Sequence, residues 1–207
     1  MTAPSGTYDP PHYEDPLVQA AIKDWNRRLR AQPPDVDAVV DWQARHYMTT
    51  DAPLCRVLRP TLVSQLQFDT DRQAAEAVTA AILRAGDRIV ADPSMRRRYL
   101  GAFWDEYADF LQLERGYAQR CVYARMDGYV TPAGLRFLEY NAESPGGNMR
   151  VDETLRMFSA LPLFQDYARD WRIEPLWAMP PFCAAVHDAF HEWGGQGRPT
   201  IAALRPK

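Results

Sequence analysis

The stretch Arg125–Asn141, with the sequence RMDGYVTPAGLRFLEYN, carries the strongest structural pattern in the middle of the chain. Gln119–Val130 is rich in Val, Tyr and Cys, and Leu135–Asn141 alternates apolar and polar residues with the period of two that is typical of strands. Between them, Thr131–Leu135 suits a three-residue hairpin loop, because its proline presets a type I turn and its glycine accepts the left-handed position. The sequence therefore predicts a β-hairpin.

The length of the loop sets which residues face each other across the two strands. A three-residue loop places Asp127 opposite Glu139. It also places Arg125 opposite Asn141, and all four side chains then project from the same face of the hairpin. A two-residue loop would instead put the two carboxylates on opposite faces.

The chemistry of these four residues points to a cation or a phosphate. Two carboxylates that face each other across strands repel, which costs up to about 1 kcal/mol. Arg125 supplies part of the balancing charge, and Asp127, Glu139 and Asn141 form an all-oxygen ligand set that suits Mg²⁺. An arginine beside such an ion suits a phosphoryl group. The alternative is a solvated face whose ion pairs add almost nothing to stability.

The segment Asn141–Asn148, NAESPGGN, follows the second strand and is rich in hydrogen-bonding side chains. Loops at strand ends commonly hold binding sites, so this segment is a candidate part of the same site. The alternative is a plain Pro-Gly turn.

These residues resemble a known family. The R-x-D strand at Arg125–Asp127 and the strand end EYNAES at Glu139–Ser144 are similar to the preATP-grasp side of glutathionylspermidine synthetase and related circularly permuted ATP-grasp proteins. In this family the Asp of the first strand and the Glu of the second are separated by the same number of residues as Asp127 and Glu139. The resemblance implies a fold that mixes helices and strands (α/β, mixed α+β). This chain would form part of an ATP-grasp-like fold related to the ATP-binding domain of glutathione synthetase.

The resemblance also implies a role for each matching residue. Asp127, Glu139 and Asn141 would hold the Mg²⁺ that bridges the phosphates of ATP. Arg125 would stabilise the phosphoryl group in transfer and contact the nucleotide together with Asn141, and Ser144 would help to hold the acyl substrate. In this family ATP phosphorylates a carboxylate, an amine attacks the acyl phosphate, and phosphate leaves. The expected ligands are therefore ATP, Mg²⁺ and small-molecule carboxylate and amine substrates.

The sequence departs from the family in two respects. ATP-grasp enzymes use lysines to reach adenine and phosphates, whereas the only lysines here are Lys23 and Lys207, and Gly146 stands where the family has a second serine. We therefore expect the N-terminal part of an ATP-dependent carboxylate–amine ligase that binds ATP poorly and is inactive alone. The alternative from another class is a non-catalytic binding module that retains the scaffold without an ATP site.

Composition makes several other classes of protein improbable. The chain has 24 Lys and Arg against 27 Asp and Glu, a net charge of -3, so it has no basic field for nucleic acid or an anionic membrane. Its apolar runs are shorter than the roughly 18 residues of a membrane span, and its N-terminus does not resemble a signal peptide. The cysteines, of which there are 3, are widely spaced and predict reduced thiols and a cytoplasmic protein.

The remaining elements are predicted from periodicity and from helix-boundary residues. Residues 1–16 are predicted to form a flexible arm. The resemblance implies that residues 17–207 form a single incomplete ATP-grasp-like/preATP-grasp domain, with a helical lead-in at 17–115 and the metal-site hairpin region at 119–148. Helices are predicted at Leu17–Leu29, Val36–Tyr47, Asp69–Val90, Pro93–Phe110, Val151–Leu161 and Phe182–Trp193, and a last strand at Pro199–Leu204.

Cys183, His187 and His191 recur every fourth residue along the last of these helices. Such a stripe can ligate zinc. The alternative is a purely structural helix, because one stripe rarely completes a tetrahedral site.

Overall fold

The computed structural model describes residues 15–46, 48, 52–114, 116–118, 120–131, 134–142 and 146–202. This part of the chain is mixed α and β, as the sequence predicted, with helices and one antiparallel hairpin of two strands. In chain order the elements are α1 (Pro16–Ala31), α2 (Val36–Arg45), α3 (Gln65–Ala91), α4 (Pro93–Tyr99), α5 (Ala102–Leu111), β1 (Arg125–Thr131), β2 (Gly134–Asn141), α6 (Asn148–Ala160), α7 (Pro162–Trp171) and α8 (Met179–Glu192).

Helices α1, α2, α3, α6 and α8 confirm five of the six helices predicted from periodicity, with boundaries that shift by a few residues. The predicted arm lies outside the described residues up to residue 14. Its last two residues instead begin α1: the Asp15 carboxylate accepts the N–H of Leu17 at 2.8 Å, and Pro16 occupies the first turn. A proline is tolerated there because the first-turn N–H groups have no partner within the helix.

The single helix predicted from Pro93 to Phe110 is wrong, because the chain forms α4 and α5 with a break between them. Gly101 precedes α5 with a φ of 48°, a left-handed conformation that ends a right-handed helix. The start of α4 is as expected, since Asp92 caps it through the N–H groups of Ser94 and Met95. The glycine was therefore the stop signal within this apolar pattern.

Two strand predictions also need correction. β1 begins at Arg125 rather than Gln119, because its partner strand ends at Asn141, which pairs with Arg125. The predicted last strand is not formed over the described residues 199–202, which are coil. A strand needs a neighbour to satisfy its backbone, and within the described chain β1 and β2 pair only with each other.

The chain divides into two compact units. Unit 1 comprises residues 1–71 and 124–181, and unit 2 comprises residues 72–123 and 182–207. The core of unit 1 joins apolar faces of α1, α2, α6 and α7. Its buried members are Ala21, Trp25, Val39, Met157, Phe158, Leu163, Phe164 and Tyr167.

Trp25 is the centre of this core and is 0% exposed. Its ring meets those of Phe158, Phe164 and Tyr167 edge to face, with centroids 6.1, 6.1 and 5.1 Å away. Its indole N–H donates to the Leu58 carbonyl at 2.9 Å, so its one polar atom is satisfied. One aromatic side chain of α1 thus holds α6 and α7 against the loop before α3.

Helix α7, which the sequence analysis did not predict, contributes a second buried aromatic group. The Tyr167 hydroxyl donates to the Ala21 carbonyl of α1 at 2.9 Å. Burial of this hydroxyl raises the pKa of Tyr167 to about 12. The tyrosine therefore stays neutral at any ordinary pH and acts as a fixed donor between α1 and α7.

A polar cluster covers the edge of this core. The Asp24 carboxylate accepts the indole N–H of Trp171 at 2.9 Å and pairs with Arg28 at 2.8 Å. Arg27 also pairs with Asp24, and Arg28 reaches Asp170 at 2.6 Å. The hydrogen bond from Trp171, followed by those from the two arginines, lowers the pKa of Asp24 from 3.8 to about 2.

We expect this cluster to make the stability of unit 1 sensitive to acid. A lowered folded-state pKa contributes stability that is complete above the unfolded value of 3.8 and is lost as pH falls through about 2. The Asp24 side chain is 17% exposed, and we expect about 1–2 kcal/mol to be lost across this window. Urea midpoints at a series of pH values should fall more steeply for the natural chain than for Asp24→Asn. Asp41→Asn, at an exposed position of α2, is the control, and an unchanged acid slope in Asp24→Asn would refute the assignment.

Unit 2 contains α4 and α5 and pairs Tyr123 with Phe182 edge to face at 4.7 Å. Arg120 forms an ion pair with Asp87. An open apolar cavity of about 380 Å³ in this unit is lined by Tyr117, Val122, Val186, Ala189, Phe190 and Trp193. In the part of the chain that the structure describes, we find no helix with the length and apolar character of a membrane span.

Candidate functional site

The hairpin brings the four predicted polar residues together. Arg125 pairs with Asn141, and Asp127 pairs with Glu139, which confirms the register predicted from the sequence. Residues paired directly opposite each other share a face, and so do residues two apart along a strand. The two carboxylates, the amide and the guanidinium therefore lie on one face of the hairpin.

This register arises differently from the sequence prediction. Thr131 pairs with Gly134 and donates from Oγ1 to the Gly134 carbonyl at 2.7 Å, so the predicted pairing of Thr131 with Leu135 is wrong. Only residues 132 and 133, which lie outside the described residues, separate the paired positions. Left uncorrected, this shorter connection would place Asp127 and Glu139 on opposite faces.

A β-bulge restores the predicted pairing. Gly128 pairs with Phe137 and Asp127 pairs with Glu139, so Leu138 is an extra residue on β2. One extra residue returns the later part of β2 to the register that brings the carboxylates together. The loop and the bulge thus offset each other, and the site depends on both.

Gly128 is the residue that permits this bulge. A Cβ at this position would lie 2.8 Å from the Arg136 carbonyl oxygen and 3.4 Å from Cδ1 of Leu135. The first distance is too short for a carbon beside a backbone oxygen, so a larger residue would displace the facing strand. An isolated glycine inside a strand pattern is a signal for a bulge. This signal was present in the sequence, although our prediction did not use it.

Arg125 engages Asp127 through both nitrogens of its fork. Nε lies 2.7 Å from Oδ1, and Nη2 lies 3.0 Å from Oδ2. The Arg125 guanidinium holds the pKa of Asp127 below its ordinary value, with a smaller contribution from a hydrogen bond between the carboxyl groups of Asp127 and Glu139. Asp127 is therefore ionised throughout the neutral pH range and is available as an anionic ligand.

Glu139 and Asn141 form the other half of the cluster. The Asn141 side-chain nitrogen donates to Glu139 Oε1 at 2.9 Å. This hydrogen bond orients the amide with its nitrogen toward the carboxylate, so that its oxygen is directed elsewhere. The face thus carries two carboxylates and one amide oxygen, the hard donors that Mg²⁺ accepts.

Arg125 also connects the hairpin to the turn before α6. Its Nη1 donates to the Gly146 carbonyl at 2.7 Å, a contact that the sequence analysis did not predict. Gly147 follows with a φ of 107°, and α6 begins at the next residue. Ser144, the predicted substrate-binding residue, lies outside the described residues, as do its neighbours 143 and 145.

The zinc stripe predicted on α8 has no complete ligand set. Cys183 is exposed, and the described residues contain no group of three His, Cys, Asp or Glu side chains placed to hold a metal ion. His187 and His191 nevertheless contact each other, with Nε2 atoms 3.1 Å apart. Two of the three predicted side chains therefore meet.

No family model, no curated protein and no solved structure matches this chain.

Proposed function

We propose that this chain supplies the Mg²⁺ and phosphate half of an ATP-dependent carboxylate–amine ligase of the ATP-grasp type. The observation that carries the proposal is the pairing of Asp127 with Glu139 and of Arg125 with Asn141 on one face of the hairpin. The resemblance of these residues to the permuted ATP-grasp family suggests the reaction. The pairing supports this reaction, because it brings the proposed Mg²⁺ ligands beside the arginine that would contact the phosphoryl group.

The donor set fits the proposed ion. Asp127, Glu139 and Asn141 offer two carboxylates and an amide oxygen, and facing carboxylates gain from a cation between them. Magnesium usually keeps several waters and completes its coordination with substrate phosphates, so three protein ligands are enough. Bound here, the ion would neutralise charge on the phosphate oxygens.

Arg125 has a second part in this proposal. Its guanidinium binds both oxygens of Asp127, and the two side chains are 42% and 38% exposed. Because both are accessible to solvent, a rotation of the Arg125 side chain releases Asp127 without disturbing a core. The released fork matches the oxygens of a phosphoryl group, on which it would stabilise developing charge.

The proposed reaction forms an amide in two steps. The γ-phosphoryl group of ATP passes to a carboxylate oxygen of one substrate, which gives an acyl phosphate and releases ADP. The amine nitrogen of the second substrate then attacks the acyl carbon, loses a proton, and displaces phosphate. Arg125 serves the first step by stabilising the transferring group, and Ser144 is proposed to hold the acyl substrate.

The nucleotide half of the cleft requires further residues. Lys23 and Lys207 are the only lysines, and neither belongs to the hairpin. In the permuted arrangement the lysine-bearing half comes later in the polypeptide, so we propose that a further segment completes the cleft. This chain by itself is then expected to bind Mg²⁺ weakly at the hairpin and ATP poorly.

A test with Mn²⁺ in place of Mg²⁺ reports on the ion site even when affinity is low. Mn²⁺ is paramagnetic and takes similar oxygen ligands, so it should broaden the amide resonances of Arg125–Gly128 and Phe137–Asn141 before others in unit 1. Asp127→Asn and Glu139→Gln should each abolish this selective broadening. Glu174→Gln, at an exposed coil position of the same unit, should leave it intact.

Nucleotide binding separates the ligase from the non-catalytic module. Calorimetry with a non-hydrolysable ATP analogue should show Mg²⁺-dependent binding in a protein extended through the coding sequence after Lys207, and loss of that binding in its Asp127→Ala form. Absence of binding in both proteins would leave the Arg125–Asp127 pair as a surface ion network, and would favour the binding module. Unchanged binding in Asp127→Ala would contradict the ion assignment.

A further inference from the structure

His187 and His191 form a polar cluster remote from the proposed ligase residues in sequence. They lie four residues apart on α8, so their side chains project from the same face of the helix. The Nε2 atoms are 3.1 Å apart, and the ring centroids are 4.2 Å apart. Both side chains are exposed, so an ion from solvent can reach them.

A backbone carbonyl orients the second ring. His191 Nδ1 lies 2.8 Å from the Gly195 carbonyl oxygen. A carbonyl oxygen only accepts hydrogen bonds, so Nδ1 carries the proton, and Nε2 of the neutral ring presents its lone pair toward His187. Metal-binding histidines are oriented in this way, by a hydrogen bond from the nitrogen that does not ligate.

The turn after α8 holds this carbonyl in place. Gly194 has a φ of 100°, and its N–H donates to the His191 carbonyl at 2.9 Å. The N–H of Gly195 donates to the Phe190 carbonyl at 2.9 Å, and a Cβ on Gly195 would lie 2.3 Å from the Phe190 ring. The positive φ favours glycine at position 194, and a side chain at position 195 would displace the Phe190 ring, so this glycine turn both ends the helix and supplies the acceptor for His191.

The separation of the two nitrogens fits a shared metal ion. A tetrahedral zinc ion holds imidazole nitrogens at about 2.0–2.1 Å, which places two of them about 3.3 Å from each other. The observed 3.1 Å is close to this separation, and the rings, whose centroids are 4.2 Å apart, have to turn outward for both lone pairs to point at one ion. We propose that His187 and His191 chelate a transition-metal ion such as Zn²⁺ or Cu²⁺ through their Nε2 atoms.

The proposed site keeps open coordination positions. The described residues include no third His, Cys, Asp or Glu grouped with this pair, and Cys183 lies exposed one turn earlier on the helix. Water or an external ligand therefore completes the coordination. A metal ion needs the lone pairs of both Nε2 atoms, so a proton held between the rings moves to His187 Nδ1 or to solvent when the ion binds.

The site is chemically distinct from the hairpin. Imidazole suits zinc and copper, whereas the carboxylates and amide of the hairpin suit magnesium. The two proposals can therefore be tested independently. Asp127→Asn is expected to leave zinc binding unchanged, and His187→Ala is expected to leave the broadening of the hairpin resonances by Mn²⁺ unchanged.

The test is a titration of the full chain with Zn²⁺ and with Cu²⁺ by calorimetry. We expect one ion per chain, and a loss of at least about tenfold in affinity in His187→Ala and in His191→Ala. His12→Ala, which removes a histidine outside the described residues, and Cys183→Ser should both bind like the natural chain. Circular dichroism of each variant checks that the exposed substitutions leave α8 folded.

Electron paramagnetic resonance of the Cu²⁺ form gives an independent readout. Two imidazole nitrogens should produce a nitrogen hyperfine pattern that loses one nitrogen in each single-histidine variant. Natural affinity in His187→Ala or His191→Ala would overturn the proposal. An affinity loss in Cys183→Ser or His12→Ala as large as that in His187→Ala and His191→Ala would also overturn it.

Discussion

Replacing Trp25 with alanine is expected to lower the free energy of unfolding of unit 1 by about 3–5 kcal/mol, the range observed for buried aromatic side chains. Trp25 is 0% exposed and contacts three aromatic rings of α6 and α7. An alanine would leave a cavity at the point where these helices meet α1. Urea denaturation followed by far-ultraviolet circular dichroism, with amide exchange of α1 as a local readout, measures the loss.

Two further variants separate volume from hydrogen bonding. Trp25→Phe keeps most of the ring but removes the N–H that donates to the Leu58 carbonyl, and should cost about 1–3 kcal/mol. Leu17→Ala removes a large side chain from an exposed position of the same helix, and should cost about 0.5 kcal/mol or less. Equal losses in Trp25→Ala and Leu17→Ala would show that Trp25 is not the centre of the core.

Replacing Asp152 with alanine is expected to lower the free energy of unfolding by about 3–4 kcal/mol, because it removes a buried carboxylate that caps the start of α8. Asp152 is 1% exposed on α6. Its Oδ1 accepts the N–H of Ala178 at 2.7 Å, and its Oδ2 accepts that of Met179 at 3.1 Å. These donors lie at the start of α8, where helical N–H groups have no partner of their own. A carboxylate also interacts favourably with the positive end of the helix dipole.

The effect should be local to the start of α8. In Asp152→Ala, the amides of Ala178 and Met179 should exchange with solvent faster, while those of the hairpin keep their protection. Asp152→Asn retains one acceptor oxygen and should lose about 1–2 kcal/mol, less than the alanine variant. Asp166→Asn removes a carboxylate of α7 that is 62% exposed and pairs only at the surface with Arg169, and is the control for loss of an exposed charge. Unfolding of Asp152→Ala at the same urea concentration as Asp166→Asn would refute the capping role.

The candidate site was largely predictable from local sequence. The alternating residues of β1 and β2 identified the strands, and the pairing of Asp127 with Glu139 came out as predicted. The cause of this pairing differs from the prediction, because a shorter connection together with a bulge at Leu138 takes the place of the three-residue loop. Such turn types differ little in local preference, whereas a slip of one residue moves every side chain to the other face. The contact from Arg125 to the Gly146 carbonyl joins residues far apart in sequence, and no local pattern indicated it.

Periodicity within the sequence determined most helices of this protein and the strands of its hairpin, because backbone preference and side-chain spacing act over a few neighbouring residues. Tertiary structure decided what these elements bury. It made α7 a core helix through Leu163, Phe164 and Tyr167. It also made Asp152, for which no local pattern indicated a role, a buried cap 26 residues before its partner Ala178. Burial depends on which distant faces pack together, and a polar group remains in the interior only when a partner brought there by packing satisfies it.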